Sequence, residues 1–252
     1  MKIHVLGGHG GLAKGFATTS FLIDDTLLID AGGVAGTLCV DDQAKIENIL
    51  ITHCHLDHIK DLAFLCDNCF GMKPGPFHVF THATVKGIIK AHLLNDIVWP
   101  DFTLLPSPEN PTMKIHEAVE NKSFLVGDYT VTGVKVNHAH DAMGYFIEKS
   151  GKTVLFTGDT GPTEEIWKLA HKVENLVAIF TEVSFPNRLQ NVAKLSDHHT
   201  ADSLKIELLK MPDVPVILTH LKPNYRDEIM QEISLLGKEV QVLKDDGVVF
   251  NF

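Results

Sequence analysis
The chain of 252 residues is 44% apolar and 21% charged, with 32 acidic against 22 basic side chains and a net charge of −10. That balance is of a folded globular protein, and the acidic excess opposes a polymeric nucleic-acid partner, which needs a basic footprint to neutralise phosphates. No apolar run approaches the ~18 residues of a membrane span, and the stretch from Met1 to Gly8 is too short and strand-like for a signal-peptide core, so a cytoplasmic location is expected, with no membrane partner.

Apolar runs rich in β-branched residues predict strands over 3–6, 19–23, 27–30, 48–52, 77–80, 123–126, 129–136, 144–148, 153–157, 177–182, 215–218 and 248–252. Helical patterns alternate with them. One follows the strand at 48–52, and another spans 84–94. A third opens with Pro162 at a first helical position and Glu164 and Glu165 in its first turn. Thr200 is an N-cap for a helix over 201–210, and Asn224 caps one that runs to Leu236 and stops at Gly237. The Pro-rich segments 73–76 and 106–111 read as loops, not linkers, because strong elements flank both. The expectation is one α/β domain over 1–252.

The sharpest signal is His53-Cys54-His55-Leu56-Asp57-His58, directly after a buried strand. His53 and His55, two apart, can point to one side of a turning segment, and Asp57 and His58 open the following helix towards a second ion. Imidazole mixed with carboxylate suits zinc, manganese or iron. His138 and His220 each end a strand, and Gly158-Asp159 follows another. Strand C-termini gathered at one edge are where α/β folds place their sites. The four cysteines, Cys39, Cys54, Cys66 and Cys69, are too few for a disulfide scaffold and suit a reducing compartment.

Together, the 53–58 run, His138, Gly158-Asp159 and His220 resemble the metal signature of the metallo-β-lactamase superfamily across nearly the whole chain. The resemblance implies a four-layer αββα sandwich of two similar halves, with two divalent metal ions at its edge. His53, His55 and His138 would hold one ion, Asp57, His58 and His220 the other, and Asp159 would bridge them. Zinc is the first expectation, with manganese or iron as alternatives. Lys60 and Asp61 depart from the glycine many members carry after the motif. His58 argues against β-lactamases that place arginine there, and His55 against the flavodiiron branch, which has glutamate.

Two subfamilies are similar in further segments. The class II cyclic-nucleotide phosphodiesterases match at His92 to Pro100, at Glu182-Val183-Ser184-Phe185-Pro186-Asn187 and at Thr219-His220-Leu221-Lys222-Pro223. Ribonuclease Z, the tRNA 3′-processing endonuclease, matches at Val136 to Gly144 and at His198-His199-Thr200. The chain has no long basic insertion of the kind that grips tRNA, and its acidic charge opposes that substrate, so the first resemblance is preferred. It implies hydrolysis of 3′,5′-cyclic AMP or GMP to the 5′-monophosphate by a hydroxide bridging the two ions, in a homodimer. Asp57, His198 and Glu182 are catalytic candidates, His198 as the acid for the departing oxygen and Glu182 orienting it. Lys222, Trp99 and Asn95 are candidate substrate contacts.

Weaker signals carry blander expectations. Cys66-Asp67-Asn68-Cys69 lacks a partner pair and reads as buried thiols. The Gly7-Gly8-His9-Gly10-Gly11 run is followed by a strand, so it is no dinucleotide loop, and in this family it would border the active site. A metal-binding sensor without turnover is the non-enzymatic alternative.

Overall fold
A computed structural model describes residues 1–237, 240–244 and 246–252. The first half of the chain builds a seven-stranded sheet from β1 (Lys2–Gly7), β2 (Ser20–Ile23), β3 (Leu27–Ile29), β4 (Asn48–Leu50), β5 (Phe77–Thr81) and β6 (Met113–Glu117), closed by the C-terminal β14 (Val249–Asn251) against β1. The second half builds the other seven-stranded sheet from β7 (Ser123–Val126), β8 (Tyr129–Lys135), β9 (Met143–Lys149), β10 (Lys152–Phe156), β11 (Leu176–Glu182), β12 (Val216–Thr219) and β13 (Gln241–Val242). Both repeat one plan, antiparallel strands first and then parallel ones, with β3, β4 and β5 parallel in one sheet and β10, β11 and β12 parallel in the other.

Alternation along the strands sends one set of side chains between the sheets and the other under helices. Ile3, Val5, Phe21, Ile23, Tyr145, Phe156 and Phe180 meet in the inter-sheet layer, where each buried side chain contributes on the order of 2 kcal/mol. Outside the first sheet lie α1 (Val34–Thr37), α2 (Val40–Gln43), α3 (Leu56–Asn68) and α4 (Ala83–His92), covering Ile49, Ile51, Phe77 and Val79. Outside the second lie α5 (Glu165–Ala170), α6 (Gln190–Leu195), α7 (Ala201–Leu208) and α8 (Arg226–Ser234), covering Val134, Leu155, Ile179 and Leu218. This is the αββα sandwich. None of the helices is long and apolar enough to cross a membrane among the described residues.

Several boundaries differ from the sequence expectation, α5 and α8 most. Pro162 does not open α5, which starts at Glu165, because the Thr163 amide is held by the buried Glu207 carboxylate at 2.9 Å. Asn224 lies in a 3-10 turn, Pro223–Tyr225, and makes no cap; α8 starts after it and ends at Ser234, short of Leu236. Strands β6 and β13, and helices α1, α2 and α6, were not expected. Thr200 does cap α7, in a reciprocal capping box with Ser203.

Candidate metal centre
The chain's metal-competent side chains converge because the strands that carry them end at one edge. His53 to His58 follow β4, His138 follows β8, Asp159 follows β10, Glu182 ends β11 and His220 follows β12. Gly158 makes the turn that delivers Asp159. Its φ is +63°, and a Cβ there would lie 2.9 Å from the Thr52 Cβ, so only glycine fits. Gly32 lets the β3 loop press on the motif; a Cβ would sit 1.8 Å from the Asp57 carbonyl oxygen.

Beside a third group of Glu182, His198 and His220, two groups of donors form among the described residues, each with its ligand atoms within 4.8 Å of one another: His53, His55, His138 and Asp159, and Asp57, His58, His220 and Asp159. Asp159 Oδ2 is common to both, 3.7 Å from His53 Nε2, 3.3 Å from His58 Nε2 and 3.1 Å from His220 Nε2. His55 Nδ1 faces His138 Nε2 at 3.2 Å, and Asp57 Oδ2 lies 3.3 Å from His220 Nε2.

On His53, His58, His138 and His220 the nitrogen pointing away is engaged, and this fixes which nitrogen faces inward. His58 Nδ1–H donates to Asp30 Oδ2 at 2.7 Å. Asp30 also accepts from the Thr52 amide and hydroxyl, both at 2.8 Å, while His53 Nδ1–H donates to the Thr52 hydroxyl at 3.1 Å. His138 Nδ1–H donates to the Asp197 carbonyl at 3.0 Å. His220 Nδ1–H donates to Ser184 Oγ at 2.9 Å, whose hydroxyl donates to Glu182 Oε2 at 2.7 Å. Asp30, Thr52 and Ser184 have no sequence signal beyond a polar residue at a strand end, and were missed.

Divalent cations fit this donor set. His53 Nε2 is buried without a hydrogen-bond partner among the described residues, a costly state that a bound cation relieves. Burial is the main cause that holds His53, His55 and His138 below the usual imidazole range, in the neutral form a metal needs. Burial opposes charge on His58 too, but the Asp159 and Asp30 carboxylates outweigh it and raise that imidazole well above its usual range. Asp57 and Asp159 are likewise penalised by burial, yet His220 and His58 hold both well below the usual carboxylate range. A carboxylate as deeply buried as Asp159 demands positive charge.

The family described as the β-lactamase superfamily domain matches residues 26–230, most of the chain. The chain belongs to the metallo-β-lactamase superfamily. Ribonuclease Z of Bacillus licheniformis is 23% identical, over 82% of this chain and 80% of that protein. Unliganded yeast PDE1 shares the fold with a TM-score of 0.80 and 19% identity, over 97% of each chain. The metallo-β-lactamase fold protein YhfI from Bacillus subtilis gives 0.75 and 20%, over 99% of each.

In this superfamily member His198 sits beside the donor groups, its ring centroid 4.9 Å from His138 and 5.5 Å from His220. Glu182 Oε1 accepts from His198 Nδ1 at 2.8 Å, leaving Nε2 as the free nitrogen. Burial opposes protonation of His198, but the Glu182 carboxylate outweighs it and raises the imidazole; the same pairing lowers Glu182 against burial. Lys222 borders the site, its Nζ donating to the Gly10 carbonyl at 3.1 Å and lying 5.1 Å from the Phe185 ring centroid. The glycine-rich loop presses on the same corner, since a Cβ at Gly10 would lie 2.5 Å from the His220 carbonyl oxygen.

The structure does not bring Asn95 or Trp99 to the donor groups. Asn95 Oδ1 accepts from the Ile97 and Val98 amides at 3.1 and 2.8 Å, and its Nδ2 donates to the Ala91 carbonyl at 2.9 Å, so the side chain is spent on its own turn. Trp99 packs edge-on against Phe64 of α3 at 5.3 Å. Cys66 and Cys69 are free and buried, and burial pushes both thiols up, away from reactivity.

Proposed function
We propose that this protein is a metal-dependent phosphodiesterase that opens 3′,5′-cyclic nucleotides to 5′-monophosphates. The ions would be two, zinc in the first instance with manganese or iron acceptable to the same ligands: His53, His55 and His138 for one, Asp57, His58 and His220 for the other, with Asp159 shared. When bound, they supply positive charge at the reacting phosphate and lower the pKa of water there. Without that charge, Asp57, Asp159 and Glu182 would repel an anion, so turnover should depend on metal.

The observation that carries the phosphodiesterase reading is the His198–Glu182 pair. Glu182 fixes the imidazole by Nδ1 and favours its protonated form, so Nε2–H can donate to the departing 3′ oxygen, a poor leaving group. Lys222 supplies a cation at the rim within reach of a phosphate oxygen. The net charge of −10 favours a small substrate over a polynucleotide. The likeness to ribonuclease Z over most of both chains favours a second reading, cleavage of precursor tRNA, by the same residues.

The test compares leaving groups. His198→Ala should reduce turnover of cyclic AMP by about 10²-fold or more while affecting a p-nitrophenyl diester far less, because nitrophenolate departs without a proton. Equal losses on both substrates would remove His198 from the acid role.

A further inference from the structure
A cleft of about 530 Å³ opens beside His198, lined by Asn137, Pro162 and Asp197 and by residues of α6. That volume lies within the range of small-molecule sites, roughly 300–1,000 Å³. The cleft adjoins the donor groups through shared residues. His198 lines it, and so does Asp197, whose carbonyl accepts from the metal-candidate His138.

Along the α6 wall stand Gln190, Asn191 and Lys194. Among the described residues, none of these side chains has a hydrogen-bond or ion-pair partner. Polar neighbours on the same segment are all engaged: Asn187 Oδ1 accepts from the Asp202 amide, Arg188 pairs with Glu228, and Ser196 donates to the Val192 carbonyl. Free hydrogen-bonding capacity is therefore concentrated on the face that looks into the cleft. A carboxamide offers a donor and an acceptor side by side, the pattern that matches the paired donor and acceptor of an adenine edge; an ammonium offers donors that suit guanine oxygen and nitrogen. Pro162 and Ala193 add apolar contact for a ring.

We propose that this cleft is the base subsite of a purine nucleotide whose phosphate lies at the donor groups, with Gln190 and Asn191 reading the edge of the base. The assignment rests on the cyclic-nucleotide reading. A nucleotide would reach both places because the base lies one sugar from the phosphate, and His198 lines the cleft with its ring 4.9 Å from that of His138.

The experiment uses metal-loaded protein with cyclic AMP, cyclic GMP and bis(p-nitrophenyl) phosphate, a diester without a base. For Gln190→Ala, Asn191→Ala and the double variant, kcat/KM on cyclic AMP relative to the diester is expected to fall about tenfold, through KM and not kcat. A ratio within about twofold of wild type, in a protein that turns over cyclic AMP normally, overturns the subsite and leaves the function standing. A wild-type protein that hydrolyses the diester but no cyclic nucleotide overturns the function, and the subsite with it, before any variant is made.

Discussion

Asp30 is the residue that supports both donor groups from behind. Its carboxylate holds His58 by Nδ1 and also both hydrogen-bond donors of Thr52, which in turn receives His53. Asp30→Ala should therefore weaken metal binding by roughly 10–100-fold without removing a ligand. Titration of the chelator-stripped protein with zinc checks this, and an unchanged affinity would reduce Asp30 to a packing residue. At this scale the sequence was legible where rare side chains cluster: the 53–58 run, His138, Asp159 and His220 are brought together. It was illegible where a common residue acts through its neighbours. One aspartate after a strand does not announce that it orients a histidine 28 positions away. Asn95 misled for the converse reason, since a side chain's free hydrogen-bonding capacity depends on its own turn.

Among the elements, α7 links stability to the site most directly. Thr200 and Ser203 cap each other's backbone amides at its start, immediately after His198 and His199. Thr200→Ala should cost about 1 kcal/mol, read as a lower urea midpoint with an unchanged slope; no shift would mean the cap adds nothing to the folded state. The same element was expected from its sequence, as were the strands buried on both faces. What escaped were short or half-exposed pieces. Strand β6 reads Met-Lys-Ile-His-Glu and lies at a sheet edge, so its exposed positions dilute the pattern. Helix α5 begins after Pro162 because a buried carboxylate from α7 captures the preceding backbone, a tertiary cause that no local propensity contains.

Over the whole molecule, the two sheets are tied by a network that crosses the sandwich away from the donor groups. The Tyr129 hydroxyl of β8 donates to Asp24 Oδ2 at 2.9 Å, in the turn between β2 and β3, and Lys149 of β9 donates to the same oxygen at 2.9 Å. Burial first, and then the bond to Asp24, push the Tyr129 phenol up to about 12 from its usual 10.0. A raised pKa means that the folded state prefers the protonated phenol. Its contribution is complete below pH 10 and is lost as pH rises towards about 12. Thermal melts at pH 8 and pH 11.5 should therefore show wild type losing more stability than Tyr129→Phe across that interval; parallel losses would exclude this network as the cause. The mixed α/β order was legible in the alternating buried strands and amphipathic helices, and the αββα layering with its edge site only through the resemblance that the metal motif carries. The cross-sheet tie was not, since it joins positions 105 residues apart.

The most direct test of a metal-dependent cyclic-nucleotide phosphodiesterase is product analysis of the metal-loaded protein with 3′,5′-cyclic AMP, beside Asp159→Ala, which removes the carboxylate common to both donor groups. Formation of 5′-AMP by wild type, abolished by a chelator and absent in the variant, is the expected result. A protein that carries its metal and cleaves precursor tRNA but leaves cyclic AMP intact would contradict it.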